Sequence, residues 1–146
     1  MSIVKIAVLN GPNMNMLGVR ETEHYGDLQW KSIENDLTAS FNVELLFYQS
    51  NHMGDIVDYI QSLYEKVDGI ILNPASFSYA GYPILDAIKA IGVPFVEVHL
   101  SNIFSRKGWH AQSIFLEEAI GVIVGFKHDV YALGIEAMLK HLKIKY

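Results

Sequence analysis

The chemistry of this chain is most legible at Glu97 and His99, two positions apart in the apolar run VPFVEVHL. In an extended strand that spacing sends both side chains to one face. A glutamate inside such a run is costly to bury without a partner, and His99 is the natural one. The carboxylate would orient the imidazole and favour its protonated form. A pair of that kind makes a general acid for a departing hydroxyl; the alternative is a structural ion pair at a strand end. Tyr25 offers a base. A free phenol titrates at about 10, and lowering it by about three units takes roughly 4 kcal/mol of preference for the phenolate. An arginine beside it in a closed, water-poor pocket can supply that. Arg20 lies on the same loop, and Arg106 further along is a second candidate. The alternative for Tyr25 is an exposed ring packed on a rim.

Both the tyrosine and Arg20 belong to the stretch LNGPNMNMLGVRETEHYG, from Leu9 to Gly26. It follows a short apolar run and precedes a helical pattern. A plain strand-to-helix connection takes about two to six residues, so this one is longer than the fold requires. Long ordered loops in compact domains are commonly lids over a site; the alternative is a mobile surface loop.

Five apolar runs rich in Ile and Val supply the frame: Ile3 to Leu9, Val43 to Tyr48, Gly69 to Leu72, Pro94 to Leu100 and Gly121 to Phe126. Continuous apolar runs suit parallel strands covered on both faces. Helical patterns separate them. Trp30, Ile33, Leu37 and Phe41 share one face, with Asp27 as the expected N-cap. Ile56, Ile60, Leu63 and Val67 repeat the spacing, with Asp55 near the positive end. A third helix is expected to open at Pro83 and stop at Gly92, ahead of Pro94. The last carries Tyr131, Ile135, Met138 and Leu142, with lysines at its C-terminal end. Strict alternation without a linker implies one domain over residues 1–146, a flavodoxin-like, three-layer, doubly wound α/β fold with a five-stranded parallel sheet. Ligands of such sheets bind outside the carboxyl ends of the strands. Asn10, Gln49-Ser50-Asn51, Asn73, His99 and Ser101 follow four of the runs, all able to hydrogen-bond a small oxygenated ligand.

Several uses of this architecture are excluded by residue type. Asn10 and Asn73 stand where a response regulator needs carboxylates for magnesium, and NGPNMNMLG lacks the Ser and Thr of a flavin phosphate loop. No Gly-Lys-Ser/Thr follows Gly11, and there is no Gly-x-Ser-x-Gly elbow. The histidines show no metal-ligand spacing. Half of the 146 residues are hydrophobic and 18% charged, which excludes disorder. A net charge of -5 without a basic cluster argues against nucleic acid as a partner. No cysteine is present, which fits a reducing cytoplasm. The N-terminal run is too short for a signal peptide, and no run reaches the roughly 20 residues of a membrane helix, so no membrane partner is expected.

Taken together, LNGPNMNMLGVRE…YG, QSNHMG, ILNPASF, LDA, EVHLSN and GVIVGF resemble, in order and over nearly the whole chain, the blocks of type II 3-dehydroquinate dehydratase. The resemblance implies a hydro-lyase acting on 3-dehydroquinate by anti elimination through an enolate, without metal or cofactor. Tyr25 would be the base, its phenolate stabilised by Arg20, and Asn13 would hold a water that helps the enolate form. His99, oriented by Glu97, would protonate the departing hydroxyl. Asn73 and the backbone N–H groups of Leu100 and Ser101 would hold the substrate carboxylate. Asp86 would contact a ring hydroxyl and Arg106 would line the closed site. The resemblance further implies a homo-oligomer, a dodecamer built of trimers, and membership of the shikimate pathway of aromatic amino acid synthesis.

This chain departs from the pattern at grouped positions. Ser78-Tyr79-Ala80-Gly81 replaces a Thr-His-Thr-Ser run, so Tyr79 stands for a hydroxyl-binding histidine. His110 stands for a second hydroxyl-binding arginine, and Met53, Thr22 and Leu85 replace a glutamate, a proline and an arginine. The elimination set is intact; what changes is the side that reads the ring hydroxyls. Losing a charged hydrogen bond in a buried site costs about 1.5–3 kcal/mol, roughly ten- to a hundredfold in affinity or rate. Tyr79 could return one bond. Two other functions stand beside the dehydratase: a lyase for a related cyclic hydroxy-keto acid, and a paralogue that only binds or assembles.

Overall fold

The computed structural model describes residues 3–19 and 21–144, so Arg20 lies outside the described residues. Strands β1 (Lys5–Asn10), β2 (Glu44–Gln49), β3 (Gly69–Asn73), β4 (Phe95–His99) and β5 (Gly121–Val124) form one sheet in the order β2-β1-β3-β4-β5. Every pairing is parallel. The helices are α1 (Thr22–Tyr25), α2 (Trp30–Ser40), α3 (Met53–Ser62), α4 (Tyr82–Ile91) and α5 (Asp129–His141). This is the doubly wound α/β arrangement expected from the alternating runs.

The alternation of side chains along each strand divides the core in two. Ile6, Val8, Ile71, Val96 and Val98 pack with Ile33 and Leu37 of α2 and with Val130, Ile135 and Met138 of α5. Ala7, Leu9, Ile70, Leu72 and Phe95 pack with Ile56 and Ile60 of α3 and with Ile84 and Ile88 of α4. Strands apolar on both faces thus receive helices on both, and the sheet is the middle of three layers. On the first side, α5 lies close: a Cβ at Gly134 would come within 3.2 Å of Val98 and 3.3 Å of Ile71.

The differences from expectation are local. Asp27 does not cap α2; Gln29 is the N-cap, with extended backbone and no side-chain capping bond. Val67 shares the core beside α3 although that helix ends at Ser62, so the apolar spacing outruns the helix. Phe41 and Leu142 likewise sit one residue past α2 and α5. The long loop is not featureless: it holds a 3-10 turn at Met14–Met16 and the single turn α1. By contrast α4 opens as expected, with Pro83 in its first turn and Gly92 ending it in the left-handed conformation at φ 73°.

Candidate active site

The order β2-β1-β3 reverses the winding between β1 and β3, which opens a crevice at their carboxyl ends. The turns that follow meet closely there. The Gly11 N–H donates to the Asn73 carbonyl at 2.8 Å, and a Cβ at Gly11 would sit 2.2 Å from the Pro74 carbonyl oxygen. Only glycine permits that approach. Beside it lies a cavity of about 100 Å³ that Asn13, Tyr25, Asn73, His99, Leu100, Ser101 and Arg106 line. Seven of the ten residues singled out from the sequence therefore converge on one space.

The His99 side is built on β4. Alternation along the strand puts Glu97 and His99 on one face, and Nε2 of His99 lies 2.6 Å from Oε2 of Glu97. Glu97 is fully buried and His99 is 5% exposed. The same Oε2 accepts a 2.5 Å hydrogen bond from the Ser113 hydroxyl, which in turn accepts from the Phe115 N–H at 3.2 Å. With Nε2 occupied by the carboxylate, Nδ1 is the ring nitrogen left for a ligand. Ser113 was not singled out from the sequence. It follows His110 in the block WHAQS, but nothing in that local pattern ties it to a strand ending at His99.

The Tyr25 side is built on loops. Nη1 of Arg106 donates to the Tyr25 hydroxyl at 2.6 Å and to the Ser101 hydroxyl at 3.3 Å. Its guanidinium carbon also lies 5.5 Å from the centroid of the Tyr25 ring. Of the two arginines considered for Tyr25, Arg106 is thus in place. Tyr25 stands in α1, whose N-cap, Glu21, has an unusual backbone at φ 20°.

Asn13 is held by the end of β2. Its N–H donates to Oδ1 of Asn51 at 2.9 Å, while Nε2 of Gln49 donates to that same oxygen at 3.1 Å and to the Gly11 carbonyl at 3.2 Å. The polar residues after β2 therefore brace the loop from outside and are not among those lining the cavity. Asn13 itself is left-handed at φ 69°, a conformation asparagine tolerates, and Ala75, also on the lining, has φ 51°. Left-handed backbone at a non-glycine residue beside a pocket is a common mark of a functional site.

Asn73 closes the floor. Its Oδ1 accepts from the Ala75 N–H at 3.1 Å, and its Nδ2 reaches the Tyr131 hydroxyl at 2.9 Å and Sδ of Met14 at 3.5 Å. Tyr131 donates to Oδ1 of Asn10 at 2.5 Å, so Asn10 stands behind the cavity.

The side that departs from the family pattern is also resolved. His110 lines the cavity and stacks on Trp109, ring centroids 3.6 Å apart. Tyr79 is 48% exposed, packs at 5.3 Å on the outer ring of Trp109 and is not among the lining residues. Ser76 and Ser78 line the cavity instead. Ser78 donates to the Gln112 carbonyl at 2.8 Å and accepts from the Ile114 N–H at 2.7 Å, which pins the segment bearing Trp109 and His110. Asp86 is exposed on α4 and is not brought to the cavity of its own chain. Among the described residues, no group of three His, Cys, Asp or Glu side chains could hold a metal ion, and no helix is long and apolar enough to cross a membrane.

Comparison with known proteins agrees with this geometry. Residues 4–139 match the family model described as dehydroquinase class II. The chain is 43% identical over 143 residues to the 3-dehydroquinate dehydratase of Carboxydothermus hydrogenoformans, covering 96% of this chain and 93% of that one. The crystal structure of type II dehydroquinase from Butyrivibrio crossotus superposes with a TM-score of 0.90 at 36% identity, over 94% of this chain and 99% of the other. That from Propionibacterium acnes gives 0.87 at 26% identity, over 95% and 99%. A match over nearly the full length, in sequence and in fold, leaves one assignment: the chain belongs to the class II dehydroquinase family.

Proposed function

We propose that this chain is a 3-dehydroquinate dehydratase working by anti elimination, with Tyr25 as base and His99 as general acid. One observation carries the reading: a single small cavity is lined by Tyr25 under an arginine and by His99 on a buried carboxylate. Tyr25, as phenolate, takes the proton beside the ketone, and the electron pair is held as an enolate. Collapse of the enolate breaks the C–O bond, and His99 gives the departing hydroxyl a proton to release water. The ring becomes a conjugated enone, 3-dehydroshikimate; a proton passed back from Tyr25 to His99 through solvent resets the site. Arg106 stabilises the phenolate by a charge-assisted hydrogen bond, with Arg20 assigned to the same task. Glu97 holds the imidazole in place through the 2.6 Å contact at Nε2.

Asn13 holds the water that assists enolate formation, and Asn73 with the Leu100 and Ser101 amides receives the substrate carboxylate. Asp86 reaches a ring hydroxyl only if a second copy of the chain delivers it, so its role is tied to the expected homo-oligomer. Exposed Tyr82 on the same helix, with Phe104, Trp109 and Phe126, offers apolar surface for such contacts. A cytoplasmic location belongs to the same reading.

The absence of Tyr79 from the lining favours a second reading, a lyase for a related cyclic hydroxy-keto acid whose hydroxyls meet Ser76 and His110. One experiment separates the two: absorbance growth from the conjugated product when the protein meets 3-dehydroquinate, with Tyr25→Phe as control. Turnover lost in the control supports the dehydratase. A folded protein without turnover removes it and leaves the related acid.

A further inference from the structure

Asn10 and Asn73 are register partners across β1 and β3, and strand parity turns both toward α5. Tyr131 reaches between them. Their relative exposures are 1%, 2% and 0%, so polar atoms here depend on partners inside the protein, and among the described residues Nδ2 of Asn10 has none. The directions of the bonds follow from one fixed donor. The Ala75 N–H can only donate, so the Asn73 atom it meets is the amide oxygen. The amide nitrogen then faces Tyr131 and donates to its oxygen. The phenol has one proton and gives it to Oδ1 of Asn10. Burial raises the Tyr131 pKa, so the proton stays in place. Besides Tyr131, the partner of Asn73 Nδ2 among the described residues is the thioether of Met14, a weak acceptor that a ligand oxygen would outbid, and Asn73 and Met14 both line the cavity.

We propose that Tyr131 is a positioning residue for ligand binding, its hydroxyl holding the Asn73 amide so that an N–H remains for the carboxylate of the substrate. This rests on the dehydratase reading for the identity of the acid. With the amide reversed, Asn73 would present a carbonyl oxygen to the same carboxylate and repel it. Gly134 makes the arrangement possible by letting α5 approach the sheet.

Tyr131→Phe keeps the ring and removes the hydroxyl. KM for 3-dehydroquinate is expected to rise about tenfold while kcat stays within about threefold, because the Asn73 bond is made in ground and transition states alike. In the Asn73→Ala background the same change should add nothing, since the residue it positions is gone. Asn10→Ala is the second variant: it strands the Tyr131 proton without touching the cavity lining, so KM should rise there too. Unchanged KM in both variants, or additive effects in the double variant, would overturn the proposal. If the wild type does not turn over 3-dehydroquinate, the reaction reading fails separately. Tyr131 is then judged by hydrogen exchange of the Asn73 side-chain amide in asparagine-labelled protein. Exchange should be slow in the wild type and faster in Tyr131→Phe; equal exchange overturns the proposal.

Discussion

The two halves of the site are held by different means. The His99 half stands on a strand: Glu97 and His99 are fixed by the pleat of β4, buried, and joined by Ser113 through a carboxylate oxygen. The Tyr25 half stands on loops: Tyr25 occupies a single helical turn, and Arg106 comes from the chain beyond a 3-10 turn after β4. One half is set before any ligand arrives. The other includes a bond between two loops, and the lid expected from the length of the Leu9–Gly26 stretch would have to admit substrate and then exclude water. The difference teaches where each kind of damage should fall: rate alone on the strand-borne side, rate together with loop order on the loop-borne side.

The strongest break of this contrast is His99→Ala, expected to lower kcat by about 10²–10⁴-fold with KM changed far less, read from the enone absorbance. An equal fall in binding would mean that His99 grips substrate and does not deliver a proton. Next is Arg106→Ala, which removes the 2.6 Å bond on Tyr25 and should lower kcat roughly ten- to a hundredfold. Limited proteolysis within residues 11–26 should quicken in the same variant, as the loop loses one of the bonds that hold Tyr25. Unchanged cleavage would place the order of the loop elsewhere. Ser113→Ala should lower kcat by about tenfold and leave loop cleavage unchanged, because it acts on the strand-borne pair through Glu97. Smallest is Asn51→Ala, which takes away the acceptor of the Asn13 N–H and should cost about two- to tenfold in kcat/KM.

Legibility follows the same division. The Glu97–His99 pair could be read because a strand has a period of two, and no knowledge of the rest of the chain was needed. The sheet and its two covered faces were legible from continuous apolar runs, since burial is the only use for them. Asp27 was misread because capping depends on where the backbone leaves the helix, and here that is at Gln29. Tyr131 was read only as part of an apolar helix face, alongside Ile135 and Met138. That is true of its ring, but the hydroxyl acts toward Asn10, 121 positions away in the chain. Tyr79, which could return one hydrogen bond to a ligand, has its ring 5.3 Å from that of Trp109 and is not among the residues lining the cavity.

The sequence by itself determined the strand and helix order, the Glu97–His99 pairing on one face and the family, because each rests on local periodicity or on ordered motifs. The tertiary structure alone decided that Arg106 meets Tyr25, that Ser113 completes the carboxylate, that Asn73 is oriented from behind, and that Asp86 stands apart from its own cavity. Those contacts join residues whose separation in the chain carries no trace of their distance in space. They are set by how far each helix and turn reaches once the core has closed.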